Sequence, residues 1–211
     1  MKALLFPGQG VQKVGMIDFL LETNPETKDL LTQTSDVLDF DLFELVKNGP
    51  ENKLNLTEYA QPAILAASLA IAKNKASYFN ASITAGLSLG EYSALVFAEC
   101  IEFKEAIRLV NARGKLMQNA VPEGTAGMLV VLNMPLPDVR ETIIKIRNSG
   151  EVIDFSTDNA EGVSVLAGTN SAIDATIKYI EEGDFKRVKT QLIKMSVPSH
   201  CSLLELSLIH I

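Results

Sequence analysis

Apolar positions along the chain fall into short clusters, and their spacing sets the expected elements. Ala3–Phe6 is a compact apolar run ending at the turn Pro7-Gly8-Gln9-Gly10, which predicts a first buried strand. Gly15 to Glu22 is expected to be helical. Glu26 to Asn48 carries Leu30, Leu31, Val37 and Leu38, then Leu42, Leu45 and Val46, at spacing near 3.6, which predicts two helices. Thr57 caps a longer predicted helix through Pro62, Ile64, Leu65, Leu69 and Ile71 to about Phe79. Its alanine richness predicts close packing beside a sheet, and it reads as core without chemistry. Ile83, Thr84 and Ala85 suit a short buried strand, Glu91 to Leu95 a helix, and Phe103 to Asn119 another.

From Ala126 onward the pattern changes. Met128–Leu132 reads as a strand, Leu136–Arg147 as a helix and Val152–Phe155 as a strand. Val163–Ala167 is again a strand, Ser171–Glu181 a helix and Arg187–Ile193 a strand. This β-α-β-β-α-β order is that of a ferredoxin-like unit. The expected architecture is α/β: a large subdomain over 1–125 and 196–211, with a small α+β subdomain inserted over 126–195.

Composition narrows the classes. The chain has 211 residues, 47% hydrophobic and 21% charged, enough for a sizeable core. A net charge of −7 argues against general nucleic-acid binding. No apolar run reaches membrane-spanning length, and the apolar start is too short for a signal peptide, so a cytoplasmic protein with no membrane partner is expected. Cys100 and Cys201 cannot build a multi-bridge framework, which fits a reducing compartment. No metal-ligand spacing is present, so no metal site is expected.

The candidate chemistry centres on Gly86-Leu87-Ser88-Leu89-Gly90. Two glycines around one serine, between a predicted strand and a predicted helix, permit the sharp turn of a nucleophile elbow. The helix N-terminus then aims N–H groups at the place where negative charge develops. As a bare pattern G-x-S-x-G also fits a chance turn; the flanking elements favour a catalytic Ser88. An elbow enzyme draws one oxyanion donor from the residue after the nucleophile, here Leu89, and one from another strand loop. Gln9, in the glycine loop after the first strand, is the candidate. Arg113 offers a bidentate fork for a carboxylate if it faces the serine, and is otherwise a solvated surface residue. His200, within Val197-Pro198-Ser199-His200-Cys201, is the candidate base, since the only other histidine is His210 at the tail. Cys201 is a rival nucleophile with nothing obvious to activate it. Lys186, Arg187, Lys189 and Lys194 form the densest late basic cluster, a candidate docking patch for an acidic partner or an ordinary solvated strand edge.

Four of these motifs occur together and in order: Phe6-Pro7-Gly8-Gln9-Gly10, Gly86-x-Ser88-Leu89-Gly90-Glu91-Tyr92, Arg113-Gly114-Lys115-Leu116-Met117-Gln118 and Val197-Pro198-Ser199-His200. In them the chain resembles the malonyl-CoA:acyl carrier protein transacylases, including the trans-acting acyltransferases of polyketide synthases, from its start to about Cys201. The resemblance implies an α/β-hydrolase-like large subdomain with a ferredoxin-like small one. It implies that Ser88 takes a malonyl group from malonyl-CoA as an ester and passes it to the phosphopantetheine thiol of an acyl carrier protein. His200 would be the base, the backbone N–H groups of Gln9 and Leu89 the oxyanion hole, and Arg113 the holder of the malonyl carboxylate. No cofactor is implied beyond coenzyme A, which is part of the substrate, and the full-length protein is expected to be a monomer.

The chain departs from the family in three ways. Leu87 stands where the family usually has histidine. The family's Asn-Ser-Pro-Gly-Gln turn is only partly matched by Asn159-Ala160-Glu161-Gly162-Val163. Family chains also continue past this C-terminus, in a part that supplies the carbonyl orienting the histidine. Leu206–Ile211 fits no family pattern and matches a frame translation of a transposase-end adapter, so genuine sequence is expected to stop near Glu205. The large sheet would then be incomplete, and the 211-residue polypeptide poorly soluble and nearly inactive. A serine acyl-thioesterase or editing hydrolase with the same dyad, or an inactive fragment, are the alternatives.

Overall fold

The computed structural model describes residues 1–79, 81–193, 195 and 197–205, with backbone alone over 75–79. The chain divides into two compact units, Met1–Lys115 and Leu116–Ile211, and the division falls inside a helix. No helix among the described residues is long and apolar enough to cross a membrane.

The first unit runs β1 (Ala3–Phe6), α1 (Asp18–Leu21), α2 (Pro25–Ser35), α3 (Leu42–Asn48), α4 (Glu51–Leu54), α5 (Thr57–Phe79), β2 (Ile83–Gly86), α6 (Leu89–Phe97) and the greater part of α7 (Phe103–Ala120). β1 and β2 pair in parallel, Ala3 opposite Ile83 and Phe6 opposite Gly86. Phe6 packs against Ala94 of α6 and Ala72 of α5. Helices α2 and α3 start where side chains satisfy their first N–H groups. Asn24 accepts from the Glu26 N–H, with Pro25 at the first helical position, and Asp41 accepts from the Glu44 N–H.

Helix α5 is the spine of this unit. Ala60, Ala63, Leu65, Ala66 and Leu69 are fully buried, so the helix is covered on every side rather than along one stripe. Small side chains let α2, α3, α4 and α6 approach it. Two elements differ from the sequence expectation. The segment Gly15 to Glu22 is helical only over Asp18–Leu21, the preceding residues forming turns in which the Asp18 and Leu20 N–H groups reach the Gly15 and Ile17 carbonyls. Helix α4, a single turn after Pro50, carries too little periodicity to be read.

The second unit runs from the end of α7 through β3 (Ala126–Leu132), α8 (Leu136–Asn148), β4 (Ile153–Ala160), β5 (Val163–Thr169), α9 (Asn170–Glu182) and β6 (Lys189–Ile193) to a 3-10 turn at Ser202–Leu204. Its antiparallel sheet has the order β4-β5-β3-β6, the ferredoxin-like arrangement expected from the sequence. Leu129, Val131, Ile153 and Leu166 of the sheet pack on Val139, Ile143 and Ile146 of α8 and Ala172, Ile173 and Ile180 of α9. Strand β6 starts at Lys189 rather than Arg187, because Arg187 takes a left-handed φ of 68°.

Candidate active site

The turn between β2 and α6 has the geometry of an elbow. Ser88 is the N-cap of α6 with φ 53° and ψ −106°, away from the ordinary wells of a side-chain-bearing residue. Two close approaches require the flanking glycines. A Cβ at Gly86 would lie 1.9 Å from the Gly90 carbonyl carbon, and one at Gly90 would lie 2.3 Å from the Phe6 carbonyl oxygen. The spacing of the motif thus reflects a place where backbone meets backbone. Ser88 is half-buried, and the fully buried Leu89 opens the helix with its N–H in the first turn.

The glycine loop after β1 lies beside this turn. The Leu87 N–H donates to the Phe6 carbonyl at 3.2 Å, and a Cβ at Gly8 would sit 3.0 Å from the Leu87 carbonyl oxygen. Gln9 follows at once, and its Nε2 donates to the Thr57 hydroxyl at 3.2 Å. The Gly10 N–H is held by Gln12 Oε1 at 2.9 Å, while Gln12 itself donates to Asn55.

Arg113, on α7, comes to the serine. Its Nη2 donates to Ser88 Oγ at 3.0 Å and its Nη1 to Gln61 Oε1 at 2.9 Å. Burial pulls the guanidinium down from its ordinary value, with Tyr92 opposing, yet arginine stays charged across the working pH range. The Ser88 hydroxyl therefore sits against a half-buried positive charge, which favours an oxyanion over a neutral alcohol.

The sequence reads α5 as core without chemistry, and the structure adds two buried polar residues that meet Gln9 and Arg113. Thr57 and Gln61 are both fully buried and one turn apart; the first contacts Gln9 and the second Arg113. The signal was present in the sequence as two polar residues at i and i+4 in an alanine- and leucine-rich stretch. Buried polar groups of that kind find partners, and here the partners are two candidate site residues.

His200, in the second unit, is exposed and takes a left-handed φ of 54°. Strand β4 grips the chain on both sides of it. The Ser156 hydroxyl donates to the Ser199 carbonyl at 3.0 Å. Asp154 Oδ2 accepts from the Ser202 N–H at 2.7 Å and from the Ser202 hydroxyl at 2.6 Å. Arg147 pairs with the same carboxylate. Burial pushes the Asp154 carboxyl up, but the Ser202 donors and the Arg147 guanidinium outweigh it and hold the group below the usual carboxylate value. Burial pushes the Cys201 thiol up, which leaves it a poorer nucleophile than an ordinary cysteine. Of the basic cluster, Lys186, Arg187 and Lys189 are exposed around the start of β6, an edge strand of its sheet, and Lys194 lies outside the described residues. Leu206–Ile211, with His210, also lies outside them.

Comparisons with known proteins give the family and the fold. Residues 3–205 match the family model of the acyl transferase domain. A malonyl CoA-acyl carrier protein transacylase from Haemophilus influenzae is 43% identical over 209 residues, covering 96% of this chain and 65% of its own length. The protein of that name from Staphylococcus aureus strain COL is 37% identical over 206 residues, with the same coverage of both chains. Among solved structures, a malonyl-transacylase in complex with its type II PKS acyl-carrier protein is similar at a TM-score of 0.91 and 40% identity, covering 99% of this chain and 67% of the other. An acyl carrier protein S-malonyltransferase from Vibrio cholerae O1 biovar eltor is similar at 0.88 and 40%, covering 99% and 68%. The chain thus spans about two thirds of the length of the proteins it matches. An elbow serine against a half-buried guanidinium, with residues 3–205 matching the family model, identifies the chain as a member of the acyl transferase domain family.

Proposed function

We propose that the protein transfers a malonyl group from malonyl-CoA to the phosphopantetheine thiol of an acyl carrier protein through an ester on Ser88. The observation that carries this reading is the 3.0 Å contact from Arg113 Nη2 to Ser88 Oγ. A fixed fork beside the nucleophile suits an acyl group whose far end is a carboxylate, because a charge-assisted bidentate pair has both strength and direction. The names of the relatives support the same reading.

In the proposed reaction Ser88 Oγ attacks the thioester carbonyl and His200 takes its proton. The backbone N–H groups of Leu89 and Gln9 hold the oxyanion. Collapse breaks the C–S bond, and coenzyme A leaves as the thiol, carrying the proton from His200. The carrier thiol then attacks the malonyl ester, and Ser88 regains its proton through His200. Nothing beyond the two substrates is required, so the reading includes no cofactor. It also includes action in the cytoplasm as a monomer, and a large subdomain over 1–125 and 196–211 around a small one over 126–195.

The test is to incubate a full-length version of the protein with malonyl-CoA, map the labelled peptide by mass spectrometry, then add carrier protein. Label on Ser88 that moves to the carrier is the expected result; label on Cys201, or release to water alone, overturns it. In the same assay the exposed Lys186, Arg187 and Lys189, with Lys194, are proposed to meet the acidic carrier. The charge reversals Arg187→Glu and Lys189→Glu are expected to raise the carrier KM and leave labelling by malonyl-CoA unchanged; unchanged carrier kinetics remove the docking assignment.

A further inference from the structure

Helix α5 continues through Pro62, whose nitrogen carries no hydrogen and whose ring crowds the carbonyl four residues earlier. That carbonyl belongs to Glu58, so it lacks its ordinary partner within the helix. Asn111 of α7, 8% exposed, supplies one: its Nδ2 donates to the Glu58 carbonyl at 2.9 Å. One turn along α7, Gly114 lies so close to α5 that a Cβ would be 2.6 Å from both the Thr57 carbonyl oxygen and the Glu58 Cα. Arg113 sits between these two contacts in sequence. Its guanidinium reaches Gln61, the residue before Pro62, and Ser88. The register of α7 on α5 is therefore set at a backbone acceptor that the proline leaves open, and the arginine is carried by that register.

We propose that Asn111 is a positioning residue for Arg113 and, through it, a determinant of selectivity for a carboxylated acyl group. This rests on the reading of Arg113 as the holder of the malonyl carboxylate. A side-chain amide locked to a main-chain carbonyl is a more exact spacer than apolar packing, because the hydrogen bond tolerates only a few tenths of an ångström. Without it the register rests on the Gly114 contact and apolar packing, which leave room for the fork to shift from the acyl end beside Ser88. A displacement of that size is enough to cost a large part of the discrimination.

The experiment measures Ser88 labelling by malonyl-CoA and by acetyl-CoA in the full-length wild type, in Asn111→Ala and in Asn111→Ala combined with Pro62→Ala, together with the melting temperature of each. Asn111→Ala is expected to lower the malonyl-to-acetyl ratio about tenfold. A merely structural role would lower both labels in parallel and leave the ratio at the wild-type value, which overturns the inference. The double variant separates stability from positioning. An alanine at 62 returns an N–H to the Glu58 carbonyl, so the melting temperature is expected to recover, while the tie between the helices stays broken and the ratio stays low. A ratio that recovers along with the melting temperature also overturns the inference. A wild type that takes no malonyl label on Ser88 removes the transfer reading and this inference together, whereas an unchanged ratio removes only the inference.

Discussion

Ser88 holds φ at 53° between two glycines that no other residue can replace without moving backbone. A residue held in such a region costs about 1–3 kcal/mol, which the packing of α6 on β1 and β2 sustains. The elbow was legible in the sequence because its constraint is local: five adjacent residues contain the whole signal. Arg113 was legible only in part, since spacing names an arginine but not its direction. Its contact with Ser88 makes a specific prediction. Arg113→Ala is expected to reduce malonyl labelling at least about tenfold, the loss of charge-assisted hydrogen bonds of roughly 1.5–3 kcal/mol each, and to spare acetyl labelling. Arg113→Lys keeps the charge but not the fork, and is expected to fall between the two. Equal losses for malonyl and acetyl would make the arginine structural. Gln61 and Asn111 were not read, because a buried amide acts through a partner distant in sequence, and nothing local marks which one.

At the scale of elements, the β-α-β-β-α-β order was legible because each apolar cluster is short and cleanly separated. Strand β4 was read too short, ending at Phe155 rather than Ala160. Its later residues Ser156, Thr157 and Asp158 are polar and two register shifts interrupt its ladder, so periodicity fades although pairing with β5 continues. That polar stretch and Asp154 are what β4 contributes to the segment around His200. Asp154 and Ser156 hold the chain after and before His200, which keeps its left-handed backbone. Asp154→Ala is expected to lower stability by about 1–3 kcal/mol and to reduce kcat for malonyl transfer, because the base is released from its loop. The acid limb gives a second readout. The folded carboxyl titrates below its unfolded value of about 3.9, so it contributes stability above that pH and loses it as pH falls through the folded value. In Asp154→Asn that contribution is absent throughout, so stability is expected to fall less steeply below about pH 4 than in the wild type. Identical acid denaturation curves would show that the carboxylate is not held as described.

For the whole molecule, the two sheets differ in how they are covered. The four-stranded sheet has α8 and α9 packed against it. The parallel pair β1–β2 has α6 on one face, where Phe6 is buried. On the other face lie Ala3, Leu5, Ile83 and Ala85, aligned by the register Ala3–Ile83 and Leu5–Ala85. Leu5 is 72% exposed and Ile83 48%, with Leu87 beyond the strand end at 50%. Parallel strands are ordinarily covered on both faces, and their continuous apolar pattern reflects that. The run Ala3–Phe6 was read as buried on this ground, and half of its side chains are not. The hydrophobic pattern records what a strand is suited to pack against and is silent about which face is filled. A contiguous apolar strip on an open sheet associates with itself or with dyes. The 211-residue chain expressed alone is therefore expected to bind an environment-sensitive fluorophore and to elute in gel filtration at sizes that grow with concentration. Leu5→Thr combined with Ile83→Thr puts at both positions the β-branched shape that strands favour, with a hydroxyl added, so the fold is expected to persist by circular dichroism. Fluorophore binding should then drop severalfold and elution become independent of concentration. A wild-type chain that is monodisperse at all concentrations would show that the strip is not a site of association.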